Sequence, residues 1–152
     1  MSIAYSFVDV MATLTGPGGI VSLGNGAGTA EEGITIEQAE DKDTMTIGAD
    51  GTPMHSLHAG KHGTVTIRLL KTSPANALLQ LMYDAQQFSS ALWGQNVLLV
   101  THVASGDLAS ARSVAFRRSP TITYAKDGGI NEWGFNAGLI DRVMGTWGAP
   151  IT

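Results

Sequence analysis

The sequence predicts a mainly β protein, a β-sandwich or rolled β-barrel of about seven or eight strands with one flanking α-helix at about 74–90. Short runs of alternating apolar and polar residues recur along the chain, as they do in half-buried strands. Turn-forming clusters such as GNGAGT at 24–29 separate most of these runs. A single stretch repeats its apolar residues at helical spacing instead. Because no repeat or linker divides residues 1–152, we expect one domain.

The strand-like runs follow one another from the start of the chain. They lie at 3–16, 33–39, 43–49, 63–72, 95–104, 112–125 and 128–145. The stretch 49–63 contains Gly51, Pro53, Gly60 and Gly63, and glycine and proline interrupt strands. We therefore predict that 49–63 is an irregular loop that contacts a neighbour.

The last run has two unlike faces. At period two, one face carries Trp133, Phe135, Ala137 and Leu139, which we predict to fill the core. The opposite face carries Gly134 and Gly138. Glycines inside a strand weaken it and mark places where another backbone or surface comes close. Some part of the protein or of a neighbour is therefore expected to press on this face.

The helix is predicted from its cap and its spacing. Ser73 is a good N-cap residue and Pro74 suits the first helical position. The predicted apolar face comprises Leu78, Leu81, Met82, Ala85, Phe88 and Leu92. The predicted polar face comprises Asn76, Gln80, Asp84, Gln86, Gln87 and Ser90. With a single charge, that polar face suits either contact with another protein or simple solvation.

Composition points toward self-association. Charged residues make up 14% of the chain, against about 25% in typical soluble domains. So few charges cover the surface of a monomer poorly, although a Gly-rich domain with a Ser, Thr, Asn and Gln surface has the same composition. The first residues lack the basic start of a secretory signal, and no apolar run approaches the roughly 18 residues of a membrane span. We therefore expect the protein to begin in the cytoplasm.

The charges are divided unequally along the chain. Residues 1–60 hold eight acidic side chains and one lysine, whereas residues 61–152 hold five acidic and eight basic ones. The acidic candidates for a charged contact are Glu31, Glu32, Glu37, Glu40, Asp41, Asp43 and Asp50. Arg117 and Arg118, with Arg112 nearby, are the basic candidates for a complementary contact between subunits. The acidic net charge argues against tight binding of nucleic acid.

The search for chemistry yields no catalytic, cofactor-binding or metal-binding residues. His55, His58 and His62 have a spacing that a zinc site could use, but Gly60 and Gly63 interrupt a helix there, and the chain has no cysteine. A loop with exposed histidines is the preferred interpretation. GNGAGT lacks the full dinucleotide-binding register, and no GxSxG motif is present.

The order of elements resembles that of tail tube proteins of contractile-tailed bacteriophages. Three parts carry the resemblance over most of the chain. They are the strand leading into the helix at 63–79 (GTVTIRLLKTSPANALL), the strand at 132–137 (EWGFNA), and the short tail that follows it. The resemblance extends in fold to the tube protein of type VI secretion.

The resemblance implies an assembly and a function. Six subunits would form a ring, rings would stack into a hollow tube, and DNA would pass through when the surrounding sheath contracts. It implies an acidic bore, loops or arms that hold the next ring, and sheath, baseplate and tail terminator proteins as partners. The protein would reside in the virion tail after assembly in the host cytoplasm. On this hypothesis the acidic residues of 31–50 face the bore or a ring contact, and Gly134 and Gly138 admit a neighbouring subunit or the chain's own helix.

Two hypotheses of other classes remain open at this point. A small-ligand-binding β-barrel would be a stable monomer with an enclosed apolar cavity. A histidine-dependent metal site would bind metal stoichiometrically. Low charge and the lack of converging polar side chains favour the tube subunit over both.

Overall fold

The computed structural model describes the backbone of residues 4–147, together with their side chains except those of residues 30–32. A short 3-10 helix, Phe7–Asp9, precedes the first strand. The strands are β1 (Val10–Gly16), β2 (Gly19–Ser22), β3 (Thr29–Gln38), β4 (Asp43–Ile47), β5 (Pro53–Leu57), β6 (Gly63–Leu70), β7 (Asn96–His102), β8 (Asp107–Arg118) and β9 (Ile130–Val143). One α-helix, α1 (Ala75–Gln86), lies between β6 and β7. The predicted mainly β class with one flanking helix is confirmed.

Seven strands form one antiparallel sheet in the order β2-β1-β7-β8-β9-β6-β3. The sheet curls on itself, so that Leu14 of β1 and Val65 of β6 share one core although their strands are far apart in this order. Trp133, Phe116 and Phe135 lie at its centre, with tilted or edge-to-face rings 4.9–5.9 Å apart. β8 and β9 are the longest strands, and they run through both layers of the curled sheet.

In both β8 and β9, the side of the strand that faces the core switches at one corner of the sheet. In β9, Trp133, Phe135 and Ala137 are buried, as predicted, but the next buried residue is Ile140. The prediction that Leu139 belongs to the core is wrong, because its side chain is 38% exposed. Opposite this point in β8, Ser113 has a φ of 53°. A residue in this left-handed region interrupts regular pleating, and the alternation therefore restarts one residue later in both strands.

β4 and β5 form a separate two-stranded hairpin. The prediction that 49–63 is irregular throughout is wrong, because Pro53–Leu57 is a strand paired with β4. Proline is tolerated at the first residue of a strand, and it occupies that position here. The run predicted to be a strand at 112–125 ends earlier, at Arg118.

The helix begins as predicted but is shorter and rotated about its axis. The amide of Ala75 donates to Ser73 Oγ over 3.2 Å, and the helix ends at Gln86 rather than near residue 90. The buried side chains are Ala75, Leu79, Met82 and Gln86. Leu78 and Leu81, predicted to be buried, are 47% and 64% exposed. No helix of the described residues is long and apolar enough to cross a membrane.

The rotation of the helix has a polar cause at Gln86. Its side-chain amide is fully buried, donates to Asn96 Oδ1 over 2.8 Å, and also donates to the Pro17 carbonyl over 2.9 Å. Asn96 Nδ2 donates in return to Gln86 Oε1 over 2.9 Å and to the Val114 carbonyl over 3.0 Å. This closed network satisfies both buried amides, so Gln86 takes an inward position that its polarity argues against.

Substituting Asn96→Ala is expected to lower the free energy of unfolding by about 2 kcal/mol, because it strands the buried Gln86 amide and the Val114 carbonyl. Urea unfolding followed by tryptophan fluorescence measures the change. Gln87→Ala, an exposed position next to Gln86, is the control and should leave the midpoint unchanged. Equal midpoints for Asn96→Ala and wild type would show that the network adds nothing to stability.

Candidate functional site: the assembly surfaces

The three sequence-predicted histidines do not converge on one site. His55 Nδ1 lies 2.9 Å from Asp43 Oδ2 across the hairpin, and His58 Nε2 lies 2.8 Å from the Thr44 hydroxyl. His62 is exposed beside β6. Among the described residues, no three His, Asp or Glu side chains are grouped closely enough to hold a metal ion. The histidines instead belong to the hairpin and its base.

One face of the β4-β5 hairpin is apolar and open. Directly opposed residues share a face in an antiparallel pair, and the pairs Asp43–Leu57, Met45–His55 and Ile47–Pro53 lie on one side. On that side Met45, Ile47 and Leu57 are 55%, 54% and 84% exposed. The other side carries the hydroxyl residues Thr44, Thr46 and Ser56 together with Met54, which is 59% exposed. We call the side with Met45, Ile47 and Leu57 the apolar hairpin face.

The two ends of the hairpin are tied to each other at its base. Lys42 Nζ donates to the carbonyls of His58 and Gly60 over 3.1 and 2.8 Å, and the His58 amide donates to the Lys42 carbonyl. These bonds extend the pairing of β4 and β5 beyond the two strands. Within residues 4–147, no other strand pairs with this hairpin.

The tip of the hairpin is a tight turn with a fixed charge. Asp50 accepts a hydrogen bond from the Thr52 amide over 3.0 Å, and this bond lowers the pKa of the Asp50 carboxyl. Gly51 has a φ of 87°, a conformation that favours glycine. The carboxylate of Asp50 therefore stays ionised at the far end of the hairpin.

The acidic candidates do not form one surface. Glu37 lies on the outward face of β3, Glu40 and Asp41 lie in the exposed link to the hairpin, and Asp43 and Asp50 lie on the hairpin itself. The side chains of Glu31 and Glu32 are outside the described residues. Apart from those two, the acidic block runs from the sheet out to the hairpin tip. Its role in a bore or a ring contact stays a prediction.

Strands β3, β6 and β9 present an outward face made mainly of small polar side chains. Cross-strand pairing places Thr35 beside Thr66, and Thr64 beside Glu37 and Asn136. Arg68 Nε lies 3.3 Å from Glu132 Oε2, so these charges offset each other. We call this surface the polar sheet face. β3 and β2 are the two ends of the sheet order, so each has one edge that pairs with no other strand of the described residues.

The basic candidates lie in different places. Arg112 Nη2 is 2.9 Å from Asp141 Oδ2, an acid that also lies 3.7 Å from Lys61 Nζ. Arg117 belongs to the other layer, where its guanidinium covers Gly134. Arg118 is exposed at the end of β8. No single basic patch complementary to the acidic block is formed by these three residues.

The chain itself accounts for close contacts at both glycines. A Cβ at Gly134 would lie 3.1 Å from Arg117 Nη2, and one at Gly138 would lie 2.9 Å from Ser113 Cβ. The nearest groups at both glycines belong to β8, so the expectation that α1 approaches them is wrong. A neighbouring subunit at this face stays a prediction.

Sequence reasoning missed the apolar hairpin face. The signal was present, because DTMTI at 43–47 alternates and Leu57 closes the next run. Alternation indicates two unlike faces but does not say whether the apolar one meets the core. Here it does not, since the hairpin stands outside the seven-stranded sheet. Exposed apolar strand surfaces are typical of protein–protein contact sites, so this face is a candidate contact.

Comparison with known proteins gives the family of the chain. The family described as bacteriophage PhiTE tail tube protein matches residues 1–145. This chain belongs to that family. No curated protein matches.

Solved structures share the fold at low sequence identity. A chain of the sheath-tube complex of an extracellular contractile injection system, PVC, in its extended state has a TM-score of 0.58 and 8% identity, covering 93% of this chain and 92% of that one. A chain of the sheath/tube terminator of the same system has a TM-score of 0.58 and 11% identity, covering 93% and 98%. The tail tube family and the fold of injection-system components therefore agree.

A third similar structure comes from a baseplate. A chain of the anti-feeding prophage baseplate, solved with 6-fold symmetry, has a TM-score of 0.58 and 9% identity, covering 94% of this chain and 97% of that one. The tail tube protein thus shares its fold with components found at several levels of such machines.

Proposed function

We propose that this tail tube protein is the repeating subunit of a phage tail tube, in which hexameric rings stack into a hollow cylinder that conducts DNA during ejection. The observation that carries the proposal is the apolar hairpin face. A two-stranded hairpin with three large apolar side chains more than half exposed costs solubility in a lone subunit. Contact with another subunit removes that cost.

The free edges of the sheet support closure into a ring. At opposite ends of the strand order, β2 and β3 each have one edge that pairs with no strand within residues 4–147. Pairing the β3 edge of one subunit with the β2 edge of the next satisfies these groups. The two edges differ, so the contact is head to tail. It gives a closed ring when the rotation from one subunit to the next divides a full turn into a whole number of steps.

The polar sheet face is our candidate for the bore. Thr35, Thr64 and Thr66 project short side chains from it, and the Arg68–Glu132 pair is neutral overall. Such a surface binds phosphate weakly, since tight binding needs uncompensated Lys and Arg. Glu37 adds one carboxylate in each subunit and helps repel the DNA backbone.

The remaining roles follow from a tube subunit. It performs no catalysis and uses no cofactor, and its partners are copies of itself, the sheath, the baseplate and the tail terminator. It is assembled in the host cytoplasm and resides in the virion tail. A tube subunit of a related injection machine is the second candidate, favoured by the fold shared with components of an extracellular contractile injection system.

Negative-stain electron microscopy of concentrated purified protein, and of tails from a phage lysate that contains it, tests this proposal. We expect hollow filaments of stacked rings, with this protein in the tail core. DNA in the particles would select the phage tail over an injection machine. Dispersed monomers, combined with absence of the protein from tail cores, would contradict the proposal.

A further inference from the structure

The turn between β2 and β3 contains an asparagine followed by a glycine. Asn25 and Gly26 lie in the stretch GNGAGT, and both are exposed. Gly26 has a φ of 91°, and a Cβ at this position would meet no atom within 4 Å. The peptide unit that joins the two residues is therefore open to solvent, and no side chain at Gly26 obstructs it.

The hydrogen bonds of this turn leave the Gly26 amide and the Asn25 side chain free. The Asn25 amide donates to the Val10 carbonyl over 3.0 Å, and the Thr29 hydroxyl donates to the Leu23 carbonyl over 2.7 Å. Among the described residues and side chains, neither the Gly26 amide nor the Asn25 side chain has a hydrogen-bond partner. The Gly26 nitrogen is thus free to approach the amide carbon of the Asn25 side chain.

The other asparagines are held in regular secondary structure. Asn76 lies in α1, Asn96 lies in β7, and Asn131 and Asn136 lie in β9. None of these four precedes a glycine. A reaction between their side chains and the following amide requires local opening of the helix or strand.

The Asp50–Gly51 pair at the hairpin tip also places glycine after a residue of this size, but its contacts differ. The Gly51 amide donates to the Gly48 carbonyl over 2.9 Å, and the Asp50 carboxylate accepts from the Thr52 amide over 3.0 Å. An ionised carboxylate also resists attack by a nucleophile. The fold therefore protects this pair and leaves Asn25–Gly26 unprotected.

We propose that Asn25 is a site of spontaneous deamidation, a covalent modification that needs no enzyme. The Gly26 nitrogen loses its proton and bonds to Asn25 Cγ, and the Cγ–Nδ2 bond breaks with release of ammonia. Water then opens the resulting five-membered succinimide. Opening at Cγ leaves an aspartyl residue, whereas opening at the main-chain carbonyl leaves an isoaspartyl residue. The net change replaces NH2 by OH, and nothing is oxidised or reduced.

The two products affect the turn differently. Both add a carboxylate and so lower the net charge of −4 by one unit. The isoaspartyl product also adds one carbon to the main chain, inside the turn that the Ala27 amide closes on the Gly24 carbonyl over 3.1 Å. The chain before it cannot adjust, because a Cβ at Gly24 would already lie 2.6 Å from the Val10 carbonyl oxygen. Only the aspartyl product preserves the turn.

Incubating the purified full chain at mildly alkaline pH tests the proposal. Peptide mapping by mass spectrometry locates the mass gain, and electron-transfer fragmentation distinguishes aspartyl from isoaspartyl products. We expect Asn25 to convert about tenfold or more faster than any other asparagine, because the others react only after local opening. An Asn25 that keeps its amide, or equal rates at Asn131 or Asn136, would overturn the proposal.

Asn25→Gln is the matched control. Glutamine keeps an exposed side-chain amide at this position, but its extra methylene requires a six-membered ring, which closes much more slowly. On isoelectric focusing we expect the wild-type chain to accumulate an acidic band that the variant lacks. An equal acidic band from Asn25→Gln would place the modification elsewhere and contradict the proposal.

Repeating the incubation in guanidinium chloride measures what the fold contributes. We expect unfolding to accelerate isoaspartyl formation at Asp50 and deamidation at Asn131 and Asn136 by about tenfold or more, and to accelerate conversion of Asn25 by much less. Equal acceleration at Asn25 would show that the folded turn protects it, which is the reverse of the proposal.

Discussion

Replacing Met45 and Ile47 together by lysine is expected to abolish tube assembly and leave the subunit folded. Both side chains lie on the apolar hairpin face and are more than half exposed. Burying each such side chain at a contact is worth about 1.5 kcal/mol or more, so losing two weakens each contact by about 3 kcal/mol, roughly a hundredfold. The lysines would also have to be desolvated at the contact, which weakens it further.

The same substitutions should not harm the hairpin itself. Position 45 lies two residues from Asp43 on the same side of the hairpin, and opposite charges close together on a strand pair are favourable. Sedimentation velocity and electron microscopy measure assembly, and circular dichroism measures folding.

The matched control places the same added charge on the other side of the hairpin. Thr46→Lys with Ser56→Lys changes the hydroxyl-bearing side, which we expect to tolerate it. Loss of assembly in both variants would attribute the effect to charge rather than to the apolar face. Normal tubes from Met45→Lys with Ile47→Lys would contradict the role of that face.

Replacing Gly138 by leucine is expected to destabilise the subunit before assembly begins. A Cβ at this position would lie 2.9 Å from Ser113 Cβ and 3.5 Å from the Ser113 carbonyl oxygen. The clash falls at the corner where β8 and β9 pass between layers, and Ser113 already has a φ of 53° there. Overpacking of this kind costs about 3 kcal/mol. Urea unfolding of the purified subunit measures the loss.

Gly128→Leu is the control, because a Cβ at Gly128 meets no atom within 4 Å. It should unfold at the wild-type midpoint. A Gly138→Leu chain with wild-type stability that no longer forms tubes would assign Gly138 to a subunit contact, as sequence reasoning alone suggested. Loss of stability would show that Gly138 is needed within the fold, whereas loss of assembly alone would show that it is needed at an interface between copies.

The sequence by itself determined the fold class, several strands and the beginning of the helix. Alternation located β1 and β6 and the inward face of the first half of β9, because a strand buried on one face selects apolar residues at period two. Ser73 and Pro74 marked the helix start, since capping is a local interaction between adjacent residues. The resemblance to tail tube proteins also came from residue order alone, and the family match confirms it.

The tertiary structure decided what depends on contacts between distant residues. The phase of α1 follows from the Gln86–Asn96 network, which joins a buried polar residue to a strand ten positions away. The exclusion of Leu139 from the core follows from the backbone of Ser113 in the adjacent strand. Neither effect produces a periodic pattern or a capping motif in the local sequence.

For the candidate assembly surfaces too, the sequence indicated some features and only the folded structure decided others. Charge asymmetry and low charge indicated self-association, because the composition of a chain limits how much of its surface can be polar. Composition did not indicate which apolar residues stay outside. Met45 and Ile47 alternate just as core residues do, and only their place on a hairpin beyond the sheet leaves them exposed. A groove lined by Val10, Ile36, Val100 and His102 joins residues from distant strands of the curled sheet, and it exists because the two layers of the sheet part at one end. That separation is a property of the folded sheet, so no single stretch of the sequence contains it.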